Sequence, residues 1–246
     1  VIIMKSRYYA VMILLCIVTI FSKSTTANAD DRYVKLCERY FTEFAEDYGK
    51  FGQKDGFTYL YSDKKNTATI VAIPMEQKKV AVPEKINGKT VTKIELMDVF
   101  SCSSNYYFRD EFYGEHEDNP VPKVEYLSIP KTVKVINIYA GIGLTEGYCG
   151  ELQSYLVHLK KFNVASANKW YRSYKGMLYT KNGKKLLLVP RKYMAKTVKV
   201  KKGTTKIADF AFSFCTNIKK VILPDTVKVI GQSAFVRCSL NYIRMP

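Results

Sequence analysis

Few residues in this chain are of the types that do covalent chemistry. There are two histidines, His116 and His158, and six cysteines among 246 residues. Glu115-His116-Glu117 places three metal-ligating side chains in a row. Adjacent residues seldom converge on one ion, however, and no partner pair stands at ligand spacing. The triplet reads as a solvated acidic loop, and no metal is expected. A cysteine activated by a histidine would be a thiol nucleophile. Against that, there is no Cys-x-x-Cys pair, and Cys102, Cys215 and Cys238 share one register of an internal repeat, which explains them as buried core thiols. No glycine loop of the phosphate-cradling kind and no nucleophile elbow occurs. The chain is not expected to be an enzyme, and no cofactor is expected.

Non-covalent chemistry is better represented. Lys169, Trp170, Tyr171, Arg172, Tyr174 and Lys175 interleave aromatic rings with cations, and Tyr179, Lys181, Lys184 and Lys185 follow closely. Aromatic faces and cations together suit sugars and anionic polymers, through stacking and charge pairing. They also suit single-stranded nucleic acid, a partner set aside here because the chain reads as secreted. The plainer alternative is hairpin packing with lysine stems laid along apolar surface. A second aromatic group, Tyr106, Tyr107, Phe108, Phe112 and Tyr113, lies in acidic surroundings. From Lys160 to Lys206 there are fifteen Lys or Arg and no acid, whereas Glu95 to Glu151 carries ten acids against four bases. Such a bipolar charge distribution steers and holds anionic polymers and says little about fold.

The elements that position these residues begin with the N-terminus. Lys5 and Arg7 precede an apolar run from Ala10 to Phe21, and Ala27-Asn28-Ala29 stands before Asp30. This tripartite order is that of a signal peptide over residues 1–29, with Met4 as the expected start. The run is too short to span a bilayer permanently, and no second one follows, so no transmembrane segment is expected. Leu15 before Cys16 does not suit a lipoprotein signal, which wants a small residue there. Removing Lys5, Arg7 and Lys23 takes the formal charge from +17 to +14. Tyr33, Cys37, Tyr40, Phe41, Phe44 and Tyr48 fall at helical spacing, and Gly49 and Gly52 end the pattern. This predicts an N-terminal cap helix over 30–52.

An internal repeat organises the remainder, 53–246. Ile207-Ala208-Asp209-Phe210-Ala211-Phe212-Ser213-Phe214-Cys215 returns as Ile230-Gly231-Gln232-Ser233-Ala234-Phe235-Val236-Arg237-Cys238, 23 residues later. Pro224-Asp225-Thr226-Val227-Lys228-Val229-Ile230 echoes Pro130-Lys131-Thr132-Val133-Lys134-Val135-Ile136, and a degenerate copy runs from Ile94 to Cys102. A period near 23 suits a solenoid whose coils bury their apolar side only against their neighbours. Val221-Ile222-Leu223 reads as a strand stopped by Pro224, and Val227 to Ile230 as a second, half-buried strand. Gly231 to Cys238 reads as a short helical turn with Ala234, Phe235 and Cys238 inward. Phe212 and Phe235 should stack in register, as should Cys215 and Cys238. Phe57–Tyr61 and Thr67–Ile73, around a polar turn, form one hairpin, and Met177–Thr180 and Lys185–Val189, around Asn182-Gly183, form another.

The pattern Ile-x-x-x-Ala-Phe-x-x-Cys, led by strand-Pro-x-(Ser/Thr)-Val-x-x-Ile, resembles the BspA-type leucine-rich repeats of bacterial surface proteins. The resemblance covers roughly 57–246, best over 198–246, with an irregular insert at 137–190. It implies an α/β solenoid, a leucine-rich-repeat array of short parallel strands and short helical turns with a cap helix and inserted β-hairpins. It further implies a secreted or surface-associated adhesion module that binds a host or matrix protein or a glycan through the solenoid surface. The alternative is electrostatic attachment to anionic cell-wall or mucin polymers, an anionic polysaccharide among them, through the basic 160–206 block. Tyr242-Ile243-Arg244-Met245-Pro246 aligns with the strand at Lys220-Val221-Ile222-Leu223-Pro224. A last coil that exposes Leu240, Ile243 and a strand edge is expected to continue beyond Pro246 or to self-associate there.

Overall fold

Three two-residue turns set the local architecture. Asp55-Gly56, Asn87-Gly88 and Lys175-Gly176 all have positive φ, 51° and 80°, 45° and 78°, and 51° and 84°. Left-handed residues at both central positions give the turn whose twist matches that of paired strands, so each reverses the chain into a tight hairpin. The computed structural model describes residues 50–96, 122–137 and 156–245. Among them lie the strands β1 (Lys50–Lys54), β2 (Phe57–Ser62), β3 (Thr67–Ala72), β4 (Lys79–Ala81), β5 (Lys85–Ile86) and β6 (Lys89–Ile94). There follow β7 (Tyr126–Ile129), β8 (Val135–Ile136), β9 (Lys161–Val164), β10 (Tyr171–Tyr174), β11 (Met177–Thr180) and β12 (Lys185–Leu188). The last are β13 (Thr197–Lys199), β14 (Lys206–Ile207), β15 (Lys220–Ile222), β16 (Val229–Ile230) and β17 (Tyr242–Arg244).

One plan is used twice. In the first half β1, β2 and β3 form an antiparallel meander, and β3 then starts a parallel ladder through β6 to β8. A second parallel ladder runs β4-β7-β9. In the second half β10, β11 and β12 repeat the meander, β12 starts the ladder β12-β14-β16, and β13-β15-β17 forms its companion. Each coil thus gives one strand to each of two ladders. In β13-β15-β17 the register pairs Thr197 with Lys220 and Tyr242, and Val198 with Val221 and Ile243. Alternation sends the valines inward and leaves Thr197, Lys199, Lys220, Tyr242 and Arg244 exposed. Both hairpins read from the sequence are present, and the strand at Tyr242 pairs with that at Lys220 as aligned. Within the segment set aside as irregular, Lys161–Val164 is a ladder strand.

Two expectations are corrected. No helix occurs among the described residues. Residues 30–49 of the expected cap lie outside them, and Lys50 to Gly52, assigned to its end, belong to β1. The expected helical turn from Gly231 to Cys238 is likewise absent, and its counterpart at 207–215 shows why. Phe210, Phe212 and Phe214 donate their backbone N–H to the carbonyls of Gln232, Ala234 and Val236 in the next coil, at 3.0, 2.8 and 3.0 Å. Ala211, Ser213 and Cys215 bond back three residues, to Ala208, Phe210 and Phe212. A helix would aim every N–H along its own axis. Left-handed φ at Phe210 (56°) and Phe214 (57°), repeated 23 residues on at Ser233 (50°) and Arg237 (53°), sends alternate N–H groups across to the neighbour instead. Stacking of coils on this third side therefore wins over local helix formation.

The apolar interior forms two clusters separated by the second meander. Leu178, Leu187 and Leu188 face the first, with Ile70, Ile94, Leu127 and Phe162. Met177, Tyr179, Leu186 and Val189 face the second, with Ile207, Phe212, Cys215 and Val221. The meander is apolar on both sides because it is a partition, covered by one half of the chain on each face. Phe212 and Phe235 stack as expected, with ring centroids 4.8 Å apart and planes 25° from parallel.

Candidate functional site

The partition disperses the residues singled out in the basic block. Tyr174 packs edge-on against Tyr179 at 6.2 Å, and Lys175 Nζ lies 5.7 Å from the Tyr174 ring. Tyr179 is buried and accepts a 3.3 Å hydrogen bond from Lys201 N–H; burial pushes its hydroxyl up to about 12. Arg172 sits opposite Tyr179 in the β10–β11 register, half-buried, and its Nε makes no hydrogen bond among the described residues. The Tyr171 hydroxyl accepts from Ile136 N–H at 3.0 Å, so it closes the end of the ladder at β8, and burial raises its pKa. Lys181 Nζ donates to Ser166 O at 2.6 Å. Lys169, Lys175, Lys181 and Lys184 are exposed, whereas Lys185 is half-buried in β12. Most of the aromatic rings are thus structural, and Trp170, 38% exposed, is the one that faces outward.

The surroundings of Trp170 come from the other half of the chain. Asn168, fully buried, donates through Nδ2 to Pro130 O (2.8 Å) and Val133 O (3.0 Å). Its Oδ1 accepts from Trp170 N–H and Tyr171 N–H, both at 2.8 Å. One carboxamide therefore ties the turn before β8 to the first residues of the meander. Trp170 is held beside Lys134, whose Nζ lies 5.7 Å from the ring centroid. A groove of about 340 Å³ opens there, lined by Lys65, Asn66, Thr67, Thr90, Thr92, Thr132, Lys134 and Trp170. Thr67 of β3 and Thr90 of β6 are directly paired, so their hydroxyls stand side by side. Thr132 Oγ1 is buried and has no hydrogen-bond partner among the described residues. Only Trp170 of this set stood out in the sequence, although Thr67 and Thr90, 23 residues apart, repeat one register.

Other features are plainer. His158 is exposed. His116, with Glu115 and Glu117, and the second aromatic group at 106–113 lie outside the described residues, as do Cys37, Cys102, Cys149 and the signal peptide expected over 1–29. Cys215 is buried and Cys238 half-buried, and neither is in a disulfide. Each donates to carbonyls of the preceding coil: Cys215 Sγ to Val189 O and Pro190 O at 3.7 and 3.6 Å, Cys238 Sγ to Phe212 O at 2.8 Å. Burial raises the Cys238 pKa, which keeps it a protonated donor. The register read as apolar packing is therefore also a weak inter-coil hydrogen bond. Phe214 lies between two guanidinium groups, Arg191 at 4.6 Å and Arg237 at 5.1 Å from its ring. Leu240 and Ile243 are half-buried, and Val229 (46%) and Tyr242 (50%) are exposed. No helix among the described residues is long and apolar enough to cross a membrane.

A known repeat family agrees with the periodicity at the C-terminal end. Residues 192–246 match the family described as the BspA type leucine rich repeat region (6 copies). No curated protein matches the chain. Among solved structures, the pneumococcal vaccine antigen PcpA is 16% identical, with 81% of this chain and 71% of that one covered at a TM-score of 0.40. The T. pallidum leucine rich repeat protein TpLRR is 15% identical, with 80% and 72% covered at 0.41. A leucine-rich repeat protein from Eubacterium ventriosum is 15% identical, with 78% and 67% covered at 0.39.

Proposed function

Starting from residues 192–246 as BspA-type leucine-rich repeats, we propose that the protein is a secreted or surface-associated interaction module that binds a host or matrix protein or a glycan through the outer face of its coils. The observation that carries this reading is how the ladders divide their side chains. In the ladders β4-β7-β9 and β13-β15-β17 the second residue of each strand is turned to the core, and its neighbours stand in rows along the stack. Lys79, Tyr126 and Lys161 form one such row across β4-β7-β9, and Thr197, Lys220 and Tyr242 form another across β13-β15-β17. Lys220 Nζ lies 4.6 Å from the Tyr242 ring, so cation and aromatic face are presented together. A laterally repeating surface of this kind suits an extended partner better than a small substrate.

A second reading rests on the basic block. Nine of its lysines, from Lys161 to Lys202, are exposed, and no acid interrupts 160–206. Attachment to an anionic polysaccharide through this block would be dominated by charge. The mature chain, screened against glycans and matrix proteins at two salt concentrations, separates the two. At physiological ionic strength the Debye length falls to about 8 Å. Binding through a complementary surface should persist there, whereas charge attachment should collapse. Reversal of Lys181, Lys184 and Lys185 to Glu should abolish retention on heparin only in the second case. Absence of any partner under either condition would remove both readings.

A further inference from the structure

We propose that the groove between Thr132 and Trp170 is a binding site for an acidic oligosaccharide; this rests on the interaction-module reading and names one of its ligands. The lining has the three components such a ligand requires. Trp170 supplies a flat exposed face of the kind on which the C–H side of a pyranose stacks. Thr67, Thr90, Thr92 and Thr132 supply hydroxyls, each able to donate and accept, and Asn66 supplies an amide. Lys65 and Lys134 supply cations at the groove, both exposed.

The local charge balance favours an anionic sugar. The acid nearest in sequence, Asp63, is held by Lys50 at 2.8 Å and Lys89 at 2.7 Å, so it does not neutralise the groove cations. Lys131 pairs with Glu84 at 3.3 Å, and Lys93 with Glu95 at 2.6 Å. Among the described residues Lys65 and Lys134 form no ion pair, which leaves them available to a carboxylate. Thr132 Oγ1 calls for a ligand of any charge: it is buried and has no hydrogen-bond partner among the described residues, an uncommon arrangement that a ligand oxygen in the groove satisfies. A peptide fits less well. The backbone beneath the groove is already paired, Thr67 with Thr90 and Lys134 N–H with Thr92 O, so a strand cannot add itself there. Asn168 acts as a positioning residue, since it holds Trp170 and the 130–133 turn in one geometry.

Trp170 is the only tryptophan in the chain, so its fluorescence reports on this groove alone. The mature protein is titrated with hyaluronan hexasaccharide and with neutral chitohexaose, and binding heats are measured alongside. Saturable change of Trp170 emission with the acidic hexasaccharide and not with the neutral one is expected. Lys134→Gln and Thr132→Val should each weaken it about tenfold, the effect of one hydrogen bond to a charged or unsatisfied partner. Circular dichroism identical to the parent shows that these variants fold. Equal response to both sugars, or unchanged affinity in both folded variants, overturns the proposal. Binding heat without any change in Trp170 emission also overturns it, yet leaves the interaction module standing with its site elsewhere. Neither heat nor emission change removes the groove, and the protein-partner screen then decides the broader reading by itself.

Discussion

Replacing Asn168 with alanine removes one carboxamide and breaks four hydrogen bonds at once. Two carbonyls, of half-buried Pro130 and buried Val133, lose their donor, and two N–H groups, of Trp170 and Tyr171, lose their acceptor. Asn168 is fully buried, so water does not replace the lost partners without a cavity large enough to admit it. A typical buried hydrogen bond contributes about 1 kcal/mol net, and stranding its partner costs roughly 1–3 kcal/mol. The alanine cavity itself adds little, because the side chain is small. A loss of about 3–5 kcal/mol follows, comparable to a large aromatic truncation. Trp170, two residues away, provides the optical probe for urea unfolding monitored by fluorescence. Asn168→Asp keeps the acceptor for the two N–H groups but sets a carboxylate against two carbonyls, and should be no better than alanine at neutral pH. Emission of folded Asn168→Ala should also shift toward that of a more exposed indole. A change in stability below about 1 kcal/mol, with unchanged Trp170 emission, would falsify the role assigned to this side chain.

Further outcomes can be checked in the same way. Phe212→Ala should cost about 3–5 kcal/mol, and Phe235→Ala clearly less, because Phe212 is fully buried and Phe235 only half so; equal urea midpoints for the two variants would speak against the stacking order. Tyr179 ionises near 10 when unfolded and near 12 when folded. Its contribution is therefore intact below pH 10 and is lost as pH rises from about 10 to 12, since the unfolded chain gives up its proton first. Tyr179→Phe should flatten stability over that window, and an unaltered slope would show that other tyrosines govern it. Cys215 and Cys238 should both react with a thiol reagent after denaturation without reductant; a peptide map containing a Cys215–Cys238 disulfide is the contrary result.

What was legible in the sequence was local or periodic. The recurrence of Phe212 at Phe235 and of Val221 at Ile243 follows from a step that each coil repeats, and Asn182-Gly183 carries its turn chemistry within two residues. Such features depend on near neighbours along the chain, which is why residue order alone reveals them. The stretch from Gly231 to Cys238 misled for the opposite reason. Its apolar spacing suits a helical turn, but the equivalent N–H groups at Phe210, Phe212 and Phe214 have acceptors waiting in the next coil, and tertiary hydrogen bonds outweigh a weak local preference. The aromatic cluster after Lys169 could not be apportioned from sequence either. Whether Tyr171, Tyr174 and Tyr179 face solvent depends on both sides of the meander being covered, and its two covers lie in different halves of the chain. The groove at Trp170 belongs wholly to tertiary structure: its threonines lie roughly 40 to 100 residues away, brought near by ladder pairing and by the carboxamide of Asn168.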